Sequence, residues 1–543
     1  MSPLSAVPHE SVPSVRAGAP VAVVGAGTMG AGIALVAARA GHLVRLVDAR
    51  PGAAAAAVDA LASRLQRLVA KGVLSDDDVR TTTARLSAVT GLDDLGGCAL
   101  AVEAIAEDLA AKHQLFAGLE QVLADTALLV TNTSSLSVTA VANGLRAPER
   151  VVGLHFFNPA DRMPLVEIVA GEQSSPSALA AAERLARAWG KTPVRCSSTP
   201  GFIVNRVARP FYGEAQRLLE MGAADAATID GVLRDCGGFR LGPFELTDLV
   251  GQDVNLAVSR SVWDQTFHDP RYAPTVLQQR LVDAGHFGRK TGRGVYLYGD
   301  GHTATDPATG QPAAPVEVHE RHLAPRRVRY CGGWNVLLPL LHRAKGVQVA
   351  DLTGGGHGTA SETDGGLLED EDGCAQSPGL LLPSGGLLVE TPTEGELKQG
   401  SDAVVADWLL DPDSAGRVCL APLPGASVQT VNEAIGFMQA TGMAVSRMRP
   451  VAGLVVARTV AMLVNEAADL VARGEASPQD VDTAMRLGTG YPLGPLEWGD
   501  RIGPLCVVAV LRSLHDAEPT GRYRPSPHLV EVAETGAPLR GSR

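Results

Sequence analysis

The spacing of apolar positions changes character along the chain. From Val21 to Val24 a short apolar run meets GAGTMGAG and then an Ala-rich stretch to Gly41, the order of a strand, a glycine turn and a helix. A second run, Leu43–Val47, ends at Asp48. Residues 53–90 carry a helical period with a break near Gly72 and Ser75, and strands are predicted at 99–102, 127–130 and 151–154 with helices between them. Strands alternating with helices predict a parallel, doubly wound sheet. Beyond Pro200 the period is helical throughout.

The helical part repeats itself. Residues 201–251 align with 453–503 at a constant offset of 252 without a gap, pairing Gly201 with Gly453, Arg206 with Arg458, Glu214 with Glu466 and Asp230 with Asp482. The run Leu241, Gly242, Pro243, Glu245, Asp248, Gly251 meets Leu493, Gly494, Pro495, Glu497, Asp500, Gly503 in the same register. Two copies of one helical module follow. Between them, 300–325 is rich in Pro, Thr, His and Gly and reads as a linker. Apolar runs at 347–350, 403–406 and 417–420 with a helical 428–441 suggest a second, degenerate α/β unit, whose only counterpart of the glycine turn is Cys331, Gly332, Gly333, Trp334. The expected layout is a flexible leader at 1–20, a nucleotide-binding α/β domain at 21–199, a helical domain at 200–299, the linker at 300–325, the degenerate α/β domain at 326–449 and the second helical domain at 450–535.

Composition narrows the function. The 543 residues, 45% hydrophobic and 20% charged, are enough for several cores and exclude a disordered chain. With 47 basic against 59 acidic residues the net charge is -12, which argues against a nucleic-acid partner. Seven scattered cysteines without a CxxC pair fit free thiols in a reducing compartment and no metal. The N-terminus lacks a basic segment followed by an apolar run, and no stretch has the length of a membrane span, so a cytoplasmic protein is expected.

Two constellations carry chemistry. Gly25, Gly27 and Gly30, with Thr28 and Met29 opening the helix, have the spacing that brings backbone N–H groups against a pyrophosphate at a helix N-terminus. Asp48, 18 residues after Gly30, stands where a carboxylate accepts from the ribose hydroxyls and repels a 2′-phosphate, favouring NAD over NADP. The second is His155 in GLHFFNP, followed after twelve residues by Glu167 in MPLVEI. A histidine can take and return a hydroxyl proton near neutral pH, and a buried glutamate can fix its tautomer. On spacing alone a hydrogen-bonded core histidine is the stronger reading.

GAGTMGAG, TNTSSL at 131–136, GLHFFNP at 153–159, MPLVEI at 163–168 and PGFIVNR at 200–206 together resemble the L-3-hydroxyacyl-CoA dehydrogenases, over residues 21–298 and again from about 450 to 530. The resemblance reverses the weight on His155. It implies an α/β Rossmann domain followed by an all-α helical domain, then the degenerate α/β unit and the second helical copy. It also implies NAD-dependent oxidation of a 3-hydroxyacyl-CoA to the 3-ketoacyl-CoA. His155 matches the general base and Glu167 its orienting partner, while Ser134 and Asn205 match groups that hydrogen-bond the reacting oxygen or the histidine. Without the family, Ser134 reads as a capping serine and Asn205 as a surface amide. Glu107 and Lys112 match positions on the nicotinamide-ribose side, with Asn132 and Asn158 close by; read from the chain alone they belong to a solvated helix, five residues apart and so not an i, i+4 pair. Arg64, Arg67 and Lys71 share a helix face that could meet CoA phosphates or simply be solvated.

In short members of this family the helical domain pairs two chains, so either a homodimer or a pseudo-dimer within the chain is expected. The second copy has Ala457 where the first has Asn205, and no counterpart of His155 and Glu167 is recognisable before it, which predicts one active site per chain. The long layout, ending in GTGYPLGPLEWGD and RYRPSPHL, is most like the family members of phenylacetate degradation and implies 3-hydroxyadipyl-CoA as substrate, with 3-hydroxybutyryl-CoA as the alternative. Arg209, four residues after Asn205, is then a candidate clamp for the distal carboxylate, against an ordinary surface arginine. A noncatalytic NAD-binding protein on the same fold is the reading from another class; the intact set Ser134, His155, Glu167 and Asn205 speaks against it.

Overall fold

The computed structural model describes residues 15–299, 304–332, 337–351, 379–391, 397 and 400–541. The leader up to residue 14, together with Gly333 and Trp334 of the degenerate turn, lies outside the described residues. The chain divides into two compact units, one running to Arg206 and including Arg473–Thr489, the other formed by Val207–Ala472 and the residues from Gly490 onward.

The first unit is built on eight strands, β1 (Val21–Val24), β2 (Val44–Val47), β3 (Leu86–Ala88), β4 (Leu100–Glu103), β5 (Leu128–Thr131), β6 (Val151–Phe156), β7 (Leu165–Ala170) and β8 (Thr192–Ser197). They lie in the order β3-β2-β1-β4-β5-β6-β7-β8. β1, β4 and β5 are buried at every residue, as parallel strands covered on both faces must be. Its helices are α1 (Thr28–Arg39), α2 (Ala53–Ala70), α3 (Asp76–Thr83), α4 (Leu109–Val122), α5 (Val138–Ala142), α6 (Pro176–Ala188) and the short α7 that opens at Val204. The break expected near Ser75 is there, because Ser75 and Asp78 form a reciprocal capping box that starts α3. Two features depart from the sequence reading: β3 occupies the end of the stretch expected as helix, and β7 runs antiparallel to β6. The reversal escapes a pattern reading because β7 is buried on both faces and the intervening loop carries no tight hairpin signal.

The second unit contains α8 (Arg209–Glu220), α9 (Ala226–Asp235), α10 (Pro243–Val250), α11 (Gln252–Gln265) and α12 (Val276–Asp283), with a small hairpin of β9 (Leu297–Tyr298) and β10 (Ala304–Thr305). Its sheet has the order β12-β11-β13-β14-β15-β16-β17, from β11 (Arg327–Tyr330), β12 (Gln348–Asp351), β13 (Leu380–Leu381), β14 (Leu387–Glu390), β15 (Ala403–Ala406), β16 (Arg417–Pro422) and β17 (Ala444–Arg447), with α13 (Val428–Ala440) against it. α14 (Val456–Ala472), α16 (Pro495–Ile502), α17 (Pro504–Ala517) and α18 (Pro527–Thr535) complete the unit, while α15 (Pro478–Thr489) belongs to the first. The described part of the stretch expected as a linker, 304–325, is seated, with Val316 N–H donating to Thr228 Oγ1 and Val318 N–H to the Val445 carbonyl.

The two helical copies are paired by the same contacts made twice. In the second unit the Glu214 carboxylate takes Arg522 at 2.6 Å and the Tyr523 hydroxyl at 2.9 Å, and Glu466, its repeat partner, takes the Tyr272 hydroxyl at 2.5 Å and Arg271 at 3.4 Å. α14 is buried at every position from Val456 to Leu470, the mark of a central helix. Among the described residues no helix is long and apolar enough to cross a membrane. Each copy also lends its second helix to the other copy's sheet. α15 packs on β7 and β8, where Ser197 N–H donates to the Glu475 carbonyl at 2.8 Å; α9 packs on β16, and just beyond β17 Arg449 N–H donates to the Ala223 carbonyl at 2.9 Å. Cys98, Cys196, Cys236, Cys419 and Cys506 are free thiols. Cys331 is disulfide-bonded, a departure from the all-thiol expectation, since spacing along a chain does not reveal which Cα atoms approach within about 6 Å.

Candidate active site

The glycine turn follows β1. Gly25 has φ +104°, and a Cβ there would lie 2.4 Å from the Ala104 carbonyl; one on Gly30 would lie 1.8 Å from the Gly25 carbonyl. Gly27 faces open space and caps α1 without a side-chain hydrogen bond, so the first N–H groups of the helix are left for a ligand. Thr28 and Met29 are the first residues of that helix. Asp48, at the end of β2, accepts from Ala26 N–H at 2.8 Å, and the Arg50 guanidinium beside it, helped by that N–H, holds its carboxyl down at about 2. A turn with no room for a side chain at Gly25 or Gly30, an uncapped helix and a carboxylate ionised at neutral pH fit a dinucleotide with free ribose hydroxyls.

A buried network stands at the ends of β4 and β5. Lys112 Nζ lies 2.7 Å from Glu103 Oε1 and 3.1 Å from Glu107 Oε2, and the Thr131 hydroxyl donates to Glu103 at 2.6 Å. Glu107 Oε1 takes the N–H groups of Ser134 and Ser135, both at 2.9 Å, and the Thr133 hydroxyl at 2.6 Å. Burial works against ionisation of Glu107, but Lys112 and the hydroxyl donors outweigh it and bring its carboxyl to about 2. The solvated-helix reading of this pair is therefore corrected. α4 begins at Leu109 behind the Asp108 cap, so Glu107 stands before the helix and its reach to Lys112 is not governed by helical spacing. Asn132 Oδ1 accepts from Phe156 N–H at 2.9 Å, tying the loop that carries Ser134 to the end of β6. Asn158 is exposed just beyond that strand. Glu103, Thr133 and Ser135 were not among the expected residues; a lone acidic residue closing the apolar run LAVE was the available signal.

His155 and Glu167 are register partners across the antiparallel pair β6 and β7, which explains how residues twelve apart come together. His155 Nδ1 lies 2.6 Å from Glu167 Oε2, and Glu167 Oε1 accepts from Ile203 N–H at 3.1 Å and Val204 N–H at 2.9 Å. With Nδ1 as the donor all of these contacts are satisfied, and the lone pair is left on Nε2. The rings of Phe157 and Phe202 flank the imidazole at 4.6 and 5.7 Å. Gly201 and Phe202 both take positive φ, 78° and 49°, bending the chain so that the start of α7 points its N–H groups at Glu167. Asn205 is half-buried in the next position of α7.

The repeat makes the second half informative. Carried back at the offset of 252, His155 falls on Asp407 and Glu167 on Cys419, which face each other across β15 and β16 through Asp407 N–H and the Cys419 carbonyl at 3.0 Å. Gly453 and Leu454 repeat the positive φ, and Asp407 takes the N–H groups of Val455, Val456 and Ala457 at 2.9, 2.7 and 3.0 Å. Burial pushes the Asp407 carboxyl up to about 6 against the pull of these donors. The turn has survived and the imidazole has gone. The counterparts that motif reading did not recognise are thus identifiable, because strand positions keep only their burial.

The basic candidates are placed differently from expectation. Arg64 pairs with Asp161, tying α2 to the loop after β6, whereas Arg67 and Lys71 are exposed. Arg209 does not share a helix with Asn205, since α7 ends at Val207 and α8 begins at Arg209 with Pro210 in its first turn. It is also not a surface residue: it is buried, donates to Ser259 Oγ at 3.2 Å and lies 5.0 Å from the centre of the Tyr212 ring.

A model of the NAD binding domain of 3-hydroxyacyl-CoA dehydrogenase matches residues 20–199, and one of the C-terminal domain of that enzyme matches 201–298 and again 453–542. A third, the reduced Rossmann-fold domain of 3-hydroxybutyryl-CoA dehydrogenase, matches 390–451. The 3-hydroxyadipyl-CoA dehydrogenase of Escherichia coli is 40% identical over 513 residues, 94% of this chain and 97% of that protein. A 3-hydroxybutyryl-CoA dehydrogenase of Mycobacterium tuberculosis is 38% identical over 280 residues, 51% of this chain and 98% of its own length. The crystal structure of a 3-hydroxybutyryl-CoA dehydrogenase from Escherichia coli K12 superposes with a TM-score of 0.81 at 38% identity, covering 95% of this chain and 98% of that one. With both of its half-chains matched and a relative aligned nearly end to end, the chain belongs to the 3-hydroxyacyl-CoA dehydrogenase family of NAD-dependent oxidoreductases.

Proposed function

We propose that this chain oxidises 3-hydroxyadipyl-CoA to the 3-keto thioester, with His155 as the general base. The observation that carries the chemistry is the 2.6 Å contact of His155 Nδ1 with Glu167, which leaves Nε2 to take the hydroxyl proton. NAD, when bound, supplies the hydride acceptor. The turn Gly25–Gly30 and Asp48 hold its pyrophosphate and ribose, and the Glu107 and Lys112 network with Asn132 and Asn158 shapes the nicotinamide side. Glu167 stabilises the imidazolium once His155 Nε2 carries the proton, and Ser134 and Asn205 hydrogen-bond the reacting oxygen or the histidine. Arg67 and Lys71 are the cations of the α2 face exposed for CoA phosphates. Arg64 joins them by releasing Asp161, and Arg209 clamps a distal carboxylate by releasing Ser259. The paired helical copies act as a pseudo-dimer within one chain, and the free thiols among the described residues, beside the single bonded Cys331 there, suit the cytoplasm.

The adipyl substrate rests on the relative that aligns over the whole layout; the solved structure with the same layout bears the butyryl name and supports 3-hydroxybutyryl-CoA as the second reading. Following NADH appearance with each thioester decides. kcat/KM is expected to favour the adipyl compound by about tenfold or more. A preference for the butyryl compound establishes the second reading instead, and no turnover of either removes both.

Asp48 gives a separate prediction. Asp48→Ser removes a charged acceptor from the ribose and raises KM for NAD about 10- to 100-fold. With Arg50 released, KM for NADP falls. Initial rates with both cofactors check this, and an unchanged ratio of the two rules out the role given to Asp48.

A further inference from the structure

The catalytic pair is held from a place that no motif points to. Glu475 and Gly488 belong to the second helical copy, yet both lie in the first unit. We infer that these two residues are positioning residues for the Glu167 and His155 pair, acting through the turn from Thr199 to Arg206; the inference rests on the dehydrogenase reading above.

Glu475 grips both ends of that turn. Its carboxylate takes the Thr199 hydroxyl at 3.1 Å and forms an ion pair with Arg206, whose side chain is 5% exposed against 12% for the glutamate. Its carbonyl takes Ser197 N–H at 2.8 Å, fixing the strand that leads into the turn. Between these anchors stand Ile203 and Val204, the two N–H donors to Glu167, and Asn205. Removing the carboxylate takes away the acceptor that Thr199 and Arg206 share, so the two ends of the turn are no longer tied to one group.

Gly488 acts from the other side. A Cβ there would lie 2.8 Å from Leu165 Cδ2 and 2.9 Å from Val204 Cγ2. Leu165 begins the strand that carries Glu167 two residues later, and Val204 is itself a donor to Glu167. The absent methyl is therefore what lets α15 lie against both walls of the carboxylate's seat.

The repeat supplies an internal control. At the same offset, Glu475 corresponds to Ala223 and Gly488 to Cys236, the residues that support the turn of the second half, where Asp407 and Cys419 replace the dyad. Cys236 there fits against the Arg417 carbonyl with its Sγ at 3.3 Å. The carboxylate and the glycine occur beside the turn that serves an imidazole, while alanine and cysteine suffice beside the one that serves none.

The test uses the full chain with Gly488→Ala, Glu475→Gln and Glu475→Ala, and with Ala223→Gly as control. The readouts are kcat and KM, the primary isotope effect with substrate deuterated at the carbinol carbon, and the far-downfield proton resonance of the His155 Nδ1–H, assigned by its loss in His155→Ala. Gly488→Ala and Glu475→Gln are expected to lower kcat about 10- to 100-fold, the scale of a displacement near 1 Å. KM for NAD stays within about twofold because the glycine turn is untouched, and the isotope effect rises as the chemical step becomes slower. The downfield resonance shifts or broadens in these variants and not in Ala223→Gly. A loss of active protein with parental KM, isotope effect and resonance in the remainder overturns the inference, as does an unchanged kcat. If Glu475→Ala does not fold, the other two substitutions decide. If the parent turns over no hydroxyacyl-CoA, the functional reading fails, and the resonance alone decides the positioning: a shift upholds it and an unchanged signal ends it.

Discussion

His155→Ala lowers kcat about 10²- to 10⁴-fold, the range that a positioned general base contributes. The loss falls on chemistry rather than on folding. Glu167 keeps the Ile203 and Val204 N–H groups when the imidazole is removed, so its buried carboxylate is not stranded, and the flanking Phe157 and Phe202 are already packed. NADH binding, followed by its fluorescence, stays at the parental level because the glycine turn and Asp48 are intact. Added imidazole, fitting the space left between the two rings, restores part of the rate. A variant within about tenfold of the parent, or one that has lost NADH binding in step with activity, is incompatible with His155 as the base.

The second large effect comes from removing the second half. A chain ending after Gly299 keeps every residue of the proposed site but loses α14, the central helix buried from Val456 to Leu470, and α15, which lies on β7 and β8. Glu214, fully buried, loses Arg458, Arg522 and Tyr523 together. Breaking a buried ion pair on one side costs about 3–5 kcal/mol, comparable to much of the stability of a domain. The apolar face of α8, with Phe211, Ala215 and Leu218, is bared at the same time. The truncated chain is therefore expected to aggregate or to pair with a second copy of itself, measured by light scattering behind a sizing column. A well-behaved monomer with full activity would show that the second copy is dispensable.

What the chain displays openly is what its local physics demands. Gly25 and Gly30 are legible because no other residue fits where a backbone carbonyl stands within 2.4 Å of a Cβ. The helical repeat is legible because its caps and buried acids recur in identity. His155 and Glu167 needed a family motif: a spacing of twelve carries meaning only once β7 is known to run back along β6. From the chain alone Glu107 read as part of a solvated helix, because the point where α4 starts depends on the Asp108 cap, which a spacing argument does not locate. Arg209 looked like a surface cation since neither Ser259 nor Tyr212 lies within reach of a helical pattern argument. Asp407 was within reach of the offset of 252, but the residues around it keep burial and not identity, so the repeat fades there.

The seat of α15 has a consequence for synthesis. The last element of the first unit ends at Thr489, about 280 residues after Arg206. At ~5–20 residues per second the ribosome needs roughly 15–60 s to deliver it. Throughout that interval the outer edge of β8 and the turn under Glu167 wait without the helix that covers them, so the nascent chain carries an open strand edge of the kind that invites pairing with a neighbour. Completion of the catalytic half is thus timed by the arrival of the noncatalytic one.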